Sequence, residues 1–102
     1  MNKDLKPLSQ KEIIKRLENL KGWSFNANKI IKEFNLNSFN EVIKIIDLLA
    51  PFCNRIDHHP DIHIYYKKVV FELQRFSIGG KVCQRDFTVA KKIEKLVENI
   101  QP

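Results

Sequence analysis

Long hydrophobic runs are absent from this chain of 102 residues, although 43% of its residues are hydrophobic. No apolar stretch approaches the roughly 20 residues that a membrane-spanning helix needs. The opening segment, MNKDLKPLSQ, lacks the apolar core of a signal peptide. Cysteine is scarce as well, since Cys53 and Cys83 are too few for a disulfide scaffold. We therefore expect one globular domain spanning residues 1–102, with free thiols, in the cytoplasm.

Clustered positive charge is also lacking, despite a formal net charge of +6. The basic residues are spread along the chain, and those such as Lys11, Lys15 and Lys91 recur opposite an apolar stripe, as on a solvated helix face. The chain has neither an aromatic-rich RNA-binding strand nor a helix-turn-helix pattern. We therefore expect no direct nucleic-acid partner and no membrane partner.

Three helices are predicted from capping residues and helical spacing of apolar positions. Ser9 with Glu12, and Ser38 with Glu41, each form a capping-box pattern ahead of an apolar stripe. In each box the serine oxygen is expected to accept from a free backbone N–H, and the glutamate to return the bond. A third helix is predicted to begin within residues 83–86, where an acidic residue in the first turn suits the helix dipole.

Two hairpins are predicted between these helices. GWSFNANKIIKEFNL has aromatic and β-branched residues on both sides of a turn at 26–28, and DIHIYYKKVVFELQRF alternates on both sides of a turn near 67–68. The element order is helix, strand, strand, helix, strand, strand, helix. This order predicts an α+β fold, with a four-stranded antiparallel sheet and three helices on one face.

The stretch RIDHHPDIHIYY contains all three histidines of the chain. Pro60 favours extended geometry at His59 and ends the second helix at or before that residue. His58 and His59 therefore lie at a helix-to-strand junction, with Asp57 beside them. A helix C-terminus stabilises a protonated imidazole, and histidine is the side chain best suited to proton transfer near neutral pH.

Two other interpretations of these histidines stay open on residue types alone. The first is a zinc site in which His59, Asp61 and His63 share a strand face and Cys53 or Cys83 completes the shell. The paired spacings typical of zinc sites are missing, so we expect no bound metal. The second is a polar junction whose imidazole rings only satisfy backbone carbonyls.

A family resemblance bears on this choice. DHHPDIHIYYKKVVFEL, followed after a short gap by GGKVCQRD, closely resembles the signature of the pterin-4a-carbinolamine dehydratases. The resemblance covers most of the chain and implies a hydro-lyase that converts 4a-hydroxytetrahydropterin to quinonoid dihydropterin and water, in tetrahydrobiopterin recycling. It further implies a pterin substrate, no metal or organic cofactor, and a homodimer or homotetramer.

The resemblance also implies roles for individual residues. His58 and His59 match the family's histidine pair, with His58 expected to transfer a proton and His59 to contact substrate. Asp57 matches the acidic residue before the pair and, like Asp86, is expected to orient or balance charge. The positions expected to contact substrate are Pro60, Asp61, Phe76, Arg85 and Asp86.

Two positions depart from the family pattern. Phe76, which we expect at the end of the fourth strand and off its apolar face, stands where the family has a third histidine or a tryptophan. Its ring is expected either to stack on the pterin or to lie in a subunit contact. Asn54 stands where an acidic residue is common. The family resemblance also allows two alternatives to an enzyme: a dimerisation or transcriptional-coactivator module, and a pterin binder without turnover.

Overall fold

The computed structural model describes residues 3–100 of the chain. Three helices and four strands follow one another in the predicted order: α1 Gln10–Leu17, β1 Ser24–Asn26, β2 Lys29–Asn35, α2 Phe39–Ile56, β3 Asp61–Tyr65, β4 Lys68–Leu73 and α3 Gln84–Ile100. Short 3₁₀ turns cover Lys3–Leu5 and Phe76–Ile78. Within residues 3–100, no helix is both long and apolar enough to cross a membrane.

The capping residues act at both predicted helix starts, but in different ways. At α1 the box is complete, because Ser9 Oγ accepts from the Glu12 N–H at 3.2 Å and Glu12 Oε1 accepts from the Ser9 N–H at 3.0 Å. At α2, Ser38 Oγ accepts from the Glu41 N–H at 3.1 Å, whereas Glu41 Oε1 accepts from the Asn37 N–H at 2.9 Å. The predicted second capping box is therefore only half formed, because the Glu41 carboxylate accepts from the N–H of Asn37 and not from that of the N-cap residue, Ser38.

The sheet is antiparallel throughout, in the order β1-β2-β4-β3. In β4 the side chains of Val69, Phe71 and Leu73 are buried, while those between them are half-buried. The buried face packs against the helices in one core, which confirms the predicted α+β fold. The second hairpin turns at 66–67, one residue before the predicted 67–68.

The end of α2 and the start of α3 place the histidine pair. Asp57 caps α2 in the left-handed conformation, with φ 53° and ψ 50°. The turn is closed by the His58 N–H, which donates to the Cys53 carbonyl at 3.0 Å. Asp86 lies in the first turn of α3, and its side chain is fully buried. The chain reversal at Asp57 thus brings His58 to the first turn of α3.

Candidate functional site

His58 is buried, with 3% of its surface exposed, and both of its ring nitrogens are bonded within the protein. Nε2 bonds Oδ1 of Asp86, whose Oδ2 accepts from the Cys83 N–H at 2.8 Å. Nδ1 lies 3.1 Å from Nη1 of Arg75. Because a guanidinium can only donate, Nδ1 is the acceptor, and the ring proton is on Nε2, directed at the Asp86 carboxylate.

Arg75 is a site residue that the sequence analysis missed. Its Nη1 donates to the Asp57 carbonyl, its Nε donates to Ser77 Oγ at 2.9 Å, and its Nη2 lies 3.5 Å from the Asp57 carboxylate. Its backbone is fixed as well, since its N–H donates to the Lys81 carbonyl at 2.9 Å and its carbonyl accepts from the Gly80 N–H at 3.0 Å. An arginine in a strand-like segment is only a weak signal for such a role.

An open cleft of about 340 Å³ lies between the end of α2 and the segment after β4. His59 is exposed beside it, with Nε2 2.8 Å from Oδ1 of Asn54. Most of the predicted site residues therefore meet at this cleft. Its lining is formed by Asp57, His58, His59, Pro60, Asp61, Gln74, Arg75, Phe76 and Ser77.

Phe76 borders the cleft, but not from the position expected. The fourth strand ends at Leu73, and Phe76 begins the following 3₁₀ turn with 74% of its surface exposed. The prediction that Phe76 ends the strand was wrong, because Gly79 and Gly80, at φ 84° and 70°, turn the chain back so that 75 and 81 pair. The ring lies at the cleft rim, open to solvent, in this single chain.

Two predicted substrate contacts lie behind the cleft instead of on its lining. Arg85 donates through Nη1 to the Ile56 carbonyl at 2.8 Å and through Nε to Asp4 Oδ2 at 2.7 Å. This ion pair lowers the pKa of the Asp4 carboxyl and raises the pKa of the Arg85 guanidinium. Asp86 is buried beneath His58 and meets the cleft only through that ring. Both residues support the site from inside the fold.

Metal-ligating side chains come together in one place within residues 3–100, and it is not the set around His59 and His63 that the sequence suggested. The ligand atoms of His58, Cys83 and Asp86 lie within 4.8 Å of one another, and all three residues are buried. Burial raises the pKa of the Cys83 thiol, and the Asp86 charge adds to that rise. The His58 imidazole and the Asp86 carboxylate already form hydrogen bonds within the protein. These bonds hold the two side chains together without a cation.

Solved structures with the same fold identify the architecture. A transcriptional coactivator/pterin dehydratase from Brucella melitensis superimposes with a TM-score of 0.85, at 24% identity over 90% of this chain and 99% of that one. A pterin dehydratase-like protein identified as a RuBisCO assembly factor in the alpha-carboxysome gives 0.58, at 18% identity over 74% of this chain and 86% of that one. At these identities the likeness is one of fold.

Sequence comparisons are more specific. A protein of Sulfolobus acidocaldarius, provisionally named pterin-4-alpha-carbinolamine dehydratase, is 42% identical over 89 residues, or 87% of this chain and 97% of its own. One from Aquifex aeolicus with the same provisional name is 35% identical over 96 residues, or 94% of this chain and 96% of its own. The family model for pterin 4 alpha carbinolamine dehydratase matches residues 6–96. The chain therefore belongs to the pterin-4-alpha-carbinolamine dehydratase family.

Proposed function

We propose that the protein dehydrates a 4a-hydroxytetrahydropterin to quinonoid dihydropterin and water, by histidine acid/base catalysis. The observation that carries this proposal is the pair of adjacent imidazoles at one cleft, His58 buried against Asp86 and His59 exposed. The family membership supports the same reaction. The two free, buried cysteines suit the reducing cytoplasm, where we place this activity.

The reaction needs two proton transfers. In our proposal each imidazole carries out one of them, His59 from an exposed position and His58 from a buried one. The leaving 4a-hydroxyl must gain a proton to depart as water, and a neighbouring ring nitrogen or oxygen must lose one. In our proposal the exposed His59 contacts substrate and gives the proton to the hydroxyl. His58 takes the ring proton at Nδ1 as the Arg75 N–H that contacts this nitrogen gives way, and the imidazolium that forms is stabilised by Asp86 at Nε2. His59 therefore ends the reaction neutral and His58 ends it protonated, and the cycle closes when a proton passes from His58 to His59 through solvent.

The cleft walls suit a flat, polar heterocycle. In our proposal Phe76 stacks its exposed ring on the pterin from the rim. The carboxylates of Asp57 and Asp61 line the same cleft, with the ring of Pro60 beside them, and in our proposal all three contact the substrate. Arg85 acts indirectly, because it holds the last carbonyl of α2, at Ile56, in place beneath the pair.

The test is a dehydration assay on synthetic 4a-hydroxytetrahydropterin with the purified protein. The expected result is a rate that rises in proportion to protein concentration above the spontaneous rate. A folded protein that leaves the spontaneous rate unchanged would contradict catalysis. Fluorescence titration with a reduced pterin then separates a binder without turnover from a protein that does not bind pterins.

A non-catalytic interaction module is the second candidate, and one structural observation favours it. α2 presents Phe39 and Ile43, which lie one turn apart on the same side of the helix, to solvent with exposures of 46% and 37%. Apolar side chains exposed along one helix are typical of a protein-binding surface. Two solved structures with this fold are named a transcriptional coactivator/pterin dehydratase and a RuBisCO assembly factor. Loss of partner binding without loss of turnover in an Ile43→Lys variant would separate this function from catalysis.

A further inference from the structure

A cavity larger than the histidine cleft lies elsewhere in the fold. It holds about 470 Å³, against about 340 Å³ for the cleft, and the two share no lining residue. Its walls come from the 3₁₀ turn at Lys3–Leu5 and the segment after it, from α1, and from Gln84, the first residue of α3. Volumes of a few hundred Å³ are typical of sites for small molecules.

Three cationic side chains face this cavity, although they lie apart in the sequence. Lys3 and Lys6 are exposed, and Arg16 is half-buried. Within residues 3–100, no carboxylate forms an ion pair with any of the three. The oxygens that Arg16 binds are uncharged, since Nε donates to Gln84 Oε1 at 2.7 Å and Nη1 to the Glu12 carbonyl at 3.3 Å. The fold therefore gathers positive charge here that no ion pair neutralises.

Two carboxylates also face the cavity, and each is already bonded to another group. Asp4 Oδ2 accepts from Arg85 Nε at 2.7 Å, so this ion pair adds no net charge. Glu12 Oε1 accepts from the Ser9 N–H at 3.0 Å, and this bond lowers the pKa of the Glu12 carboxyl. At neutral pH the three cations therefore face a single unpaired negative charge, that of Glu12, and two positive charges are left over.

We propose that this cavity binds the phosphate group of a small phosphorylated molecule. A phosphomonoester carries about −1.5 to −2 charges at pH 7, which matches the two positive charges left over, whereas a carboxylate carries only one. Nη2 of Arg16 has no hydrogen-bond partner within residues 3–100, so its N–H groups can donate to phosphate oxygens. The site shares no residue with the cleft, and its ligand does not depend on the proposed function.

The rest of the cavity indicates what the phosphate is attached to. Pro7 and Leu8 form an apolar wall beside the cations. This wall is fixed to the fold, because the Leu8 N–H donates to the Val82 carbonyl at 2.9 Å. The organic part of the ligand therefore has an apolar face that packs on these two side chains. A bounded cavity suits a small molecule better than a polymer, since the other basic residues are spread along the chain.

The test is a titration of ¹⁵N-labelled protein with phenyl phosphate at neutral pH and low salt, followed by the amide shifts. The amides of Leu8 and Gln84 are expected to shift together and to saturate, while those of His59 and Arg75 at the cleft stay unchanged. Benzenesulfonate, which has a similar shape but one charge, is expected to bind about fivefold more weakly. Shifts confined to the cleft, no saturation at Leu8 and Gln84, or equal affinity for the two anions overturns the proposal.

Arg16→Gln is expected to weaken phenyl phosphate binding about tenfold, because it removes a charge and its hydrogen bonds. Lys15→Gln is the matched control, since Lys15 is the neighbouring residue of α1, is exposed and does not line the cavity. It is expected to change the Kd by less than about twofold. Lys6→Gln, expected to weaken binding about threefold, carries the test if Arg16→Gln does not fold. Equal weakening in the control and in the cavity variant would show only a general attraction of anions to a basic protein, and the proposal fails.

Discussion

At the scale of single residues, His58 and His59 are neighbours in sequence that meet opposite surroundings. His59 is exposed and bonded to Asn54, an uncharged residue. His58 lies under the surface between a guanidinium and a carboxylate. The two imidazoles therefore differ in their surroundings, since His59 faces solvent beside the cleft and His58 faces the interior.

His58→Ala is expected to lower turnover by on the order of a hundredfold, the range for a positioned acid or base. It is also expected to lower the free energy of unfolding by roughly 3–5 kcal/mol, because Asp86 is then buried without its partner. Urea denaturation followed alongside the dehydration assay measures both. His63→Ala is the control, since His63 lies off the cleft with 47% of its side chain exposed. Equal turnover in the two folded variants would remove His58 from the mechanism.

Phe76→His tests the departure from the family pattern. An added imidazole at the rim is expected to raise turnover about tenfold, which needs only roughly 1.4 kcal/mol of transition-state stabilisation. Because the phenylalanine is 74% exposed, the change in stability is expected to stay within about 0.5 kcal/mol. If Phe76 stacks on the pterin instead, KM rises. Unchanged kcat and KM would place residue 76 outside the working cleft.

At the scale of secondary-structure elements, α2 contributes a buried thiol to the core. Burial raises the pKa of Cys53 to about 11 from its usual 9.0. The folded protein therefore holds this thiol protonated at pH values where the unfolded chain ionises. The resulting stabilisation is complete below pH 9 and is lost as the pH rises towards 11.

The unfolding free energy is accordingly expected to fall between pH 8.5 and pH 10.5 more steeply in the wild type than in Cys53→Ala. Chemical denaturation at a series of pH values in a reducing buffer measures the two slopes. In Cys53→Ala, Cys83 preserves part of the pH dependence of the unfolding free energy, because the pKa of its thiol is also raised. Identical slopes would show that the pKa of the Cys53 thiol does not differ between the folded and unfolded states.

Elements with strong local signals were predictable from the sequence, whereas contacts between distant elements were not. The serine caps set the starts of α1 and α2, and alternation set the hairpins. The end of β4 was placed too late, because the chain reversal depends on positive φ angles at Gly79 and Gly80. The histidine pair was found through its motif. Arg75 was not, since its contact with His58 spans 17 residues and exists only once the turn is formed.

At the scale of the whole molecule, β3 is an edge of the sheet that pairs only with β4 within residues 3–100. Ile64 and Tyr65 on this strand are exposed by 38% and 59%. An exposed apolar edge is a template for pairing with a second copy. We expect a homo-oligomer, and light scattering at micromolar concentration measures its mass.

Ile64→Lys is expected to shift the mass towards that of a monomer, because a lysine on an edge strand opposes pairing. Ile14→Lys, at an exposed position of α1, is the matched control and should leave the mass unchanged. A wild-type monomer at these concentrations would show that the edge stays free.

The bond between His58 and Asp86 joins residues 28 positions apart. During synthesis on the ribosome, the histidine pair emerges well before its carboxylate, which arrives only with the last helix. A nascent chain, or a proteolytic fragment cut in the loop at 79–80, holds both imidazoles but has no buried acceptor for the Nε2 proton. Closing a loop of this length costs conformational entropy, which the docking of α3 offsets. A chain that ends before residue 86 therefore lacks the carboxylate that holds His58 in the complete fold.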